Sequence, residues 1–206
     1  MIDTSPQEVV YRPSRIFANN PRNAVILGKP RVDDDAVCFD GVADGIILDE
    51  NPLPSVGRFR IDAEFSPASG GAAEQRFFHI QSTTNTDRLL LEIRLTPGGG
   101  WFADSYFSCG DAFLVLQDST RVHALDRWYR YTLVYDGVML EQRINGRSEC
   151  SGRMPGARTP NTAVTSIGIR ANGAFPFCGA VRMVRISSGL SAPVLEEEAA
   201  ISDAGS

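Results

Sequence analysis

The sequence predicts an all-β protein, an antiparallel β-sandwich of the jelly-roll type. Many short segments alternate between apolar and polar residues, and clusters of glycine, proline, asparagine and aspartate separate them. Before residue 192 no segment has the apolar spacing of a useful amphipathic helix, and no fixed repeat period indicates a propeller or a solenoid. Short strands without intervening helices therefore favour two packed antiparallel sheets.

The clearest element is a β-hairpin between residues 126 and 146. The alternating side chains from Tyr131 to Tyr135 form one face of its first strand, and Asp136-Gly137 supplies a tight primed turn. The return strand ends at Asn145-Gly146, a second turn dipeptide. Because both turns are of the kind that joins antiparallel strands, the hairpin predicts neighbouring strands of one sheet.

The remaining strands follow one another at short spacing. They are predicted at residues 36–40, 45–48, 58–66, 76–82, 88–95, 100–107, 112–117, 128–135, 138–144, 164–170 and 178–187. Residues 1–35 contain prolines, paired asparagines and an aspartate run, so an N-terminal arm outside the core is predicted there, with only residues 24–27 resembling a strand. The sandwich then spans 36–191, and 192–206 forms a tail in which 192–201 is predicted to be a short helix.

Several segments, in this order, resemble the laminin G-like members of the concanavalin A-like lectin and glucanase superfamily. They are the segment from Phe39 to Leu48, the strand 58–66, the hairpin led by Trp128, and the closing segment 177–186. The resemblance covers residues 36–191 and implies a jelly roll in which Trp128 has a structural role. It does not imply one activity, because the same sandwich occurs in lectins, adhesion modules, glycosidases and lyases.

Composition bounds the function. A chain of 206 residues with 43% hydrophobic content is sufficient for one large sandwich. Its net charge of -5, with both signs interspersed, argues against nucleic-acid binding. No apolar run is long enough to span a bilayer, so membrane insertion is not predicted, and the first residues lack the pattern of a secretory signal.

The four cysteines show no C-x-x-C pair, which argues against a zinc ribbon or a thioredoxin-type site. We expect Cys38, Cys109, Cys150 and Cys178 to be mostly buried thiols. If the protein lies outside a cell, disulfides become an alternative, and Cys150 with Cys178 is the pair to test first.

Alternation assigns each strand an inward and an outward face. Outward side chains are predicted to be Arg60, Asp62 and Glu64 on the first long strand; Phe77, His79 and Gln81 on the second; and Arg88, Glu92 and Arg94 on the third. Guanidinium, amide and imidazole groups on one sheet suit hydroxyl-rich or acidic sugars.

Aromatic residues add surfaces on which the apolar face of a sugar ring packs. Trp101 follows three glycines at the start of a strand, so we expect it near a loop, partly exposed, as the preferred platform; the alternative is that it packs the sandwich edge. The complete predicted ligand site comprises Trp101, Tyr106, His79, Gln81, Arg94 and Tyr129.

Catalytic patterns of the superfamily are missing or incomplete. Laminarinase-type glycosidases carry Glu-x-Asp-x-Glu on one strand, and this chain has only Asp62-Ala-Glu64. Jelly-roll lyases use a Gln-Ile-His strand with arginine and tyrosine, whereas here His79-Ile-Gln81 has the reverse order. A polysaccharide lyase using His79, Arg94 and Tyr131 remains an alternative, and no catalytic residue is otherwise assigned.

Metal sites are limited by the presence of only two histidines, which excludes a histidine cluster. The resemblance implies that calcium is a candidate cofactor, because calcium is common in the superfamily and prefers oxygen ligands. Asp44 and Asp136 are the predicted ligands.

The leading hypothesis is a noncatalytic carbohydrate-binding or adhesion module that recognises surface or extracellular glycan through an open sheet face or rim loops. A second hypothesis is a structural subunit of an extracellular assembly, such as a virion spike, fibre or decoration protein, with the N-terminal arm contacting other subunits. Both hypotheses place the protein outside a cell or on a virion surface.

Overall fold

The computed structural model describes residues 7–20 and 22–189 and contains two antiparallel β-sheets packed face to face. The predicted all-β sandwich is confirmed. The elements are β1 Gln7–Tyr11, α1 Pro13–Asn19, β2 Val25–Leu27, β3 Arg31–Asp33, β4 Ala36–Asp40, β5 Gly45–Leu48, β6 Phe59–Pro67, β7 Glu74–Ser82, β8 Arg88–Leu95, β9 Gly100–Cys109, β10 Ala112–Gln117, β11 His123–Ala124, β12 Tyr129–Tyr135, β13 Met139–Ile144, β14 Arg147–Arg153, β15 Ala163–Ile167 and β16 Cys178–Ser188.

Each sheet contains one long run of neighbouring strands. Sheet A has the order β14-β13-β12-β6-β16-β4-β3, and β1 pairs with β16 beside it. Sheet B has the order β10-β9-β8-β7-β15-β5-β2, and β11 pairs with the start of β9. The strands predicted from the sequence are all present with small shifts of their ends, whereas β1, β3, β11 and β14 were not predicted.

Aromatic side chains fill the space between the sheets. Phe65 of β6 stacks on Phe77 of β7 with ring centroids 4.4 Å apart and an interplanar angle of 11°. A buried polar bridge also crosses the core, because the Tyr131 hydroxyl lies 2.6 Å from both Ser105 Oγ and Gln142 Oε1. The bridge links β9 of sheet B to β12 and β13 of sheet A and satisfies polar groups that are costly to bury alone.

The N-terminal segment is part of the sandwich, so the predicted arm outside the core is wrong for the described residues before β4. β1 pairs with β16, β2 with β5 and β3 with β4. Tyr11 and Ile16 belong to the core, and Pro13 occupies the first turn of α1, where its fixed φ suits a helix. The predicted helix at 192–201 lies outside the described residues.

The cysteines are unbridged and partly buried. Cys150 lies on β14 and Cys178 on β16, four inter-strand spacings apart in sheet A. Four spacings amount to about 19 Å, whereas bridged cysteines have Cα atoms within about 7 Å. The pairing of Cys150 with Cys178 is therefore wrong. Among the described residues, no helix is both long and apolar enough for a membrane span.

Candidate functional site

The outer face of sheet B is the side of β15, β7, β8, β9 and β10 that points away from the core. On β8, Leu89, Leu91 and Ile93 are fully buried in the core, whereas Glu92 and Arg94 lie on the opposite side, as predicted. Pairing then places the outward side chains of neighbouring strands in rows. One row joins Arg76, Glu92 and Asp104, and another joins His79, Leu90 and Tyr106.

A network of ion pairs occupies the first of these rows. Arg76 Nε lies 2.7 Å from Glu92 Oε2, and Arg94 Nε donates to Asp104 Oδ2 at 2.8 Å. Glu74, the first residue of β7, contacts both arginines. Glu92 and Asp104 are almost fully buried, and burial raises the pKa of Glu92 to about 7 although the two arginines oppose the shift. The carboxylates of this row are consequently held by arginines and are inaccessible to a ligand.

His79 lies in the next row and is 1% exposed. Its Nδ1 accepts a hydrogen bond from the backbone N–H of Ala171 at 3.2 Å, which leaves the ring proton on Nε2. Burial, followed by the nearby positive charges of Arg170, Arg88 and Arg76, lowers the pKa of His79 to about 3. The imidazole is therefore neutral near pH 7.

Aromatic rings stand beside the histidine on β9 and β10. Tyr106 and Phe113 have nearly parallel rings with centroids 6.0 Å apart, and the Arg88 guanidinium lies 4.4 Å from the Tyr106 centroid. Phe113 is 65% exposed, the largest exposed aromatic surface on this face. Arg88, Tyr106 and Phe113 together form what is called here the arginine–aromatic cluster.

Phe77 is the one predicted outward residue of β7 that points into the core, where it stacks on Phe65. The pairing of β7 with β8 shifts between Arg76 and Phe78, which is a β-bulge at Phe77. The extra residue turns Phe77 inward while Arg76 and His79 both stay outward. Alternation alone cannot reveal this shift, because it assumes a regular strand.

Trp101 does not form an exposed platform, so that prediction is wrong and the alternative of packing at the sandwich edge is the observed one. Its side chain is 0% exposed and makes edge contacts with Phe65 and Tyr129. The indole N–H donates to the carbonyl of Ala124 at 3.1 Å, and the Tyr129 hydroxyl donates to the same carbonyl at 2.8 Å. Trp101 and Tyr129 therefore lie under β11, apart from the outer face of sheet B.

The structure brings together His79, Gln81, Arg94 and Tyr106 of the predicted ligand site on one face. Gln81 is partly buried; its Nε2 makes long contacts, 3.3–3.5 Å, with backbone carbonyls, and its side chain is a hydrogen-bond partner of His79. The three residues of the lyase alternative do not meet on a surface. Tyr131 lies in the core, where burial raises its pKa well above the usual value, and His79 and Arg94 face the other side of sheet B.

Asp44 and Asp136 both stabilise turns. Asp44 is buried and accepts backbone hydrogen bonds from Lys29 at 2.6 Å and Asp40 at 3.1 Å. Asp136 accepts from the backbone N–H groups of the turn that follows it, both at 2.7 Å. Within residues 7–20 and 22–189, no cluster of three histidine, cysteine or acidic residues is arranged as a metal site. Calcium at either aspartate stays a prediction.

At least two clefts, lined by described residues, open at the rim of the sandwich. One has a volume of about 520 Å³ and lies between the turn after β9 and the loop after β14, with Phe113, Arg153 and Pro155 in its lining. The other, about 510 Å³, is lined by Arg121, Asn145 and their neighbours, and its polar centre is the contact of His123 Nε2 with Glu149 Oε1 at 2.8 Å. The first cleft adjoins the arginine–aromatic cluster, because Phe113 belongs to both.

A family model described as the concanavalin A-like lectin/glucanases superfamily matches residues 40–193. The chain belongs to this superfamily. The resemblance inferred from the sequence is thereby confirmed. Among curated proteins, no sequence matches the chain significantly.

Solved structures similar to this superfamily member include domain 4 of AbnA, a GH43 extracellular arabinanase from Geobacillus stearothermophilus, in complex with arabinotriose. It has a TM-score of 0.56 and 18% identity, over 86% of this chain and 87% of that one. The CBM40 of the Ruminococcus gnavus IT-sialidase, bound to α2,3-sialyllactose, has a TM-score of 0.55 and 15% identity, over 72% and 83%. Tailspike protein 2 of the Escherichia coli O157:H7 bacteriophage CAB120 has a TM-score of 0.52 and 13% identity, over 71% of this chain and 21% of that one. At these identities the likeness shows the fold.

Three residues of the face were missing from the predicted ligand site. Phe113 lies on a predicted strand, and its sequence pattern does not distinguish an exposed aromatic from a buried one. Arg88 was assigned outward but not to the site. Arg170 was included in a predicted strand, whereas it lies in the loop that follows β15. Its position beside His79 depends on the fold of that loop, which no local pattern indicated.

Proposed function

We propose that this superfamily member is a noncatalytic carbohydrate-binding module that holds glycan on the outer face of sheet B. The observation that carries the proposal is the exposed ring of Phe113 beside Tyr106 and Arg88, since sugars pack their apolar faces on aromatic rings while polar neighbours bind their hydroxyls. The cleft next to Phe113 extends the surface on which an oligosaccharide would lie.

The contacts of the carboxylates favour binding over catalysis. Glu92 and Asp104 are buried and paired with Arg76 and Arg94, so neither has the open geometry that flanks a glycosidic bond. Glu74 is the more exposed of these groups, and both of its oxygens contact arginines. Fold relatives that bind arabinotriose or sialyllactose are consistent with a binding role, although they share less than a fifth of their residues with this chain.

The assembly-subunit alternative receives no support from the N-terminal segment, because β1, β2 and β3 pair within the same chain. We propose glycan as the partner and a location outside the cell or at a virion surface. An extracellular arabinanase domain and a phage tailspike among the fold relatives support this location.

The test is a glycan-array screen, with calcium or with a chelator, of the wild type, Phe113→Ala and Trp128→Ala. Trp128 is the matched control, since it is an aromatic residue 41% exposed that stacks with Arg182 of sheet A. We expect saturable binding that Phe113→Ala weakens by about 10-fold or more and Trp128→Ala preserves. Binding lost only in Trp128→Ala would move the site to sheet A, and no binding by the wild type would refute the proposal.

A further inference from the structure

Two arginines of the outer face of sheet B, Arg88 and Arg170, differ from the others in having no carboxylate partner among the described residues. Arg76 and Arg94 are neutralised by Glu74, Glu92 and Asp104. By contrast, Arg88 makes a 3.3 Å hydrogen bond to the Thr86 carbonyl and stacks on Tyr106. The Nε atoms of Arg88 and Arg170 are buried and have no hydrogen-bond partner in the described part of the chain.

His79 lies beside these two arginines but is buried. Its side chain is 1% exposed, Nδ1 accepts from Ala171, and Gln81 is a side-chain hydrogen-bond partner, so the imidazole is satisfied within the protein. The Nε–H groups of Arg88 and Arg170 differ from it, because an N–H group buried without a partner is costly and calls for an explanation, such as a ligand that completes it. Donors of this kind are arranged for an acceptor that carries negative charge.

The loop 168–177 brings Arg170 to this position. Ala171 donates its backbone N–H to His79 Nδ1, and Phe175 packs its ring 3.7 Å from the Arg76 guanidinium carbon. The Phe175 carbonyl also accepts a hydrogen bond from the Arg76 backbone at 3.1 Å. Because both ends of the loop tip are tied to β7, Arg170 is held beside the sheet. Its pKa is lowered by burial and by the neighbouring charges of Arg88 and Arg76, which agrees with a local excess of positive charge.

We propose that Arg88 and Arg170 form a subsite for an anionic group, a carboxylate or a sulfate, of a glycan that also contacts Phe113. The inference rests on the proposed glycan-binding function and narrows it to acidic glycans. Arg88 of β8 lies opposite Ser108 of β9, and Ser108 lies opposite Phe113 of β10. The arginine and the exposed ring are therefore separated by two inter-strand spacings, about 10 Å. An oligosaccharide, not a single sugar, is the ligand that reaches both.

The experiment compares a galacturonate trimer with its methyl ester, which keeps the sugar and removes the charge. A sulfated galactose trisaccharide and its unsulfated form make the second pair and separate sulfate from carboxylate recognition. Titration calorimetry measures each pair on the wild type, Arg170→Gln, Arg88→Lys and Arg147→Gln. Arg147 is the matched control, because it is an exposed arginine on β14 of sheet A and removes the same charge.

We expect the wild type to bind one acidic form at least about 10-fold more tightly than its neutral partner, the size expected for charge-assisted hydrogen bonds. Arg170→Gln should remove this preference without changing the affinity for the neutral sugar, Arg88→Lys should reduce it because the planar fork is lost, and Arg147→Gln should leave it intact. Melting temperatures verify that each variant is folded.

Two results would overturn the inference while the proposed function stands. One is equal binding of acidic and neutral forms by the wild type; the other is an equal loss of preference in Arg147→Gln, which would indicate a net-charge effect. If the wild type bound none of the sugars in these pairs and none on the array, both the inference and the glycan-binding function would be refuted.

Discussion

Replacement of Trp101 by alanine separates a structural residue from a binding platform. The side chain is fully buried, contacts Phe65 and Tyr129, and donates a hydrogen bond to Ala124. Removing a buried tryptophan costs about 3–5 kcal/mol of unfolding free energy. For a chain of this length, each kcal/mol shifts the melting temperature by about 2–4 °C, so Trp101→Ala should melt at least about 6 °C below the wild type.

A graded variant tests the same argument. Trp101→Phe retains an aromatic ring and loses the indole N–H, but the Ala124 carbonyl still accepts from Tyr129. Its cost should be about 1–2 kcal/mol. Trp128→Ala removes a half-exposed ring and should change stability by about 1 kcal/mol or less. Urea denaturation and calorimetry measure all three. A Trp101→Ala protein that melts within 2 °C of the wild type yet no longer binds glycan would refute the assignment of Trp101 to the core.

Other perturbations are predicted from single contacts. Glu92 keeps a proton in the folded state between its ordinary pKa of 4.5 and about 7. Its ionisation should therefore lower stability by up to about 3 kcal/mol as pH rises through this window. Glu92→Gln should remove that dependence in urea titrations at pH 5 and 7.5, and an equal stability difference between the variant and the wild type at both pH values would contradict it. Gly168→Ala should destabilise the protein by more than about 1 kcal/mol, because φ is +79° and a Cβ would lie 2.4 Å from the Phe39 ring. Gly173→Ala is the control, because its φ is +80° and a Cβ there would enter open space. Equal melting temperatures of the two variants would refute the clash with Phe39. Tyr131→Phe should cost about 1–3 kcal/mol in calorimetry, since it removes the hydroxyl that joins the two sheets, and an unchanged melting temperature would refute that role.

Alternation and turn residues predicted most strands because both are local properties. The outward assignment of Arg60 and Asp62 on β6 is an example, and there the two side chains pair at 2.6 Å. Strand β1 was missed for a different reason. β1 is five residues long, and its partner β16 lies more than 170 residues later, so nothing near it in sequence indicates a sheet.

The site was predicted in part for similar reasons. His79 and Arg94 were assigned outward by strand alternation, and Tyr106 was chosen as an aromatic residue; the sheet places all three on one face. Trp101 was misassigned because a glycine run suggests an exposed loop, while the two-residue strand β11 that covers the tryptophan has no sequence pattern of its own. Arg170 depends on a loop tied to the sheet through Ala171, and such a contact is visible only in three dimensions.

The central position of β16 has a consequence for the order of folding. One edge of β16 pairs with β6 along its length, and the other pairs first with β4 and then with β1. Sheet A is therefore completed only by contacts between distant parts of the chain. Such contacts make folding slow, because the long stretch of chain between the paired strands loses conformational freedom before the pairing stabilises it. Until β16 arrives, β6 and β4 each have an edge with unpaired backbone groups. A nascent or truncated chain that stops before residue 178 should consequently associate with other chains instead of folding to a smaller sandwich.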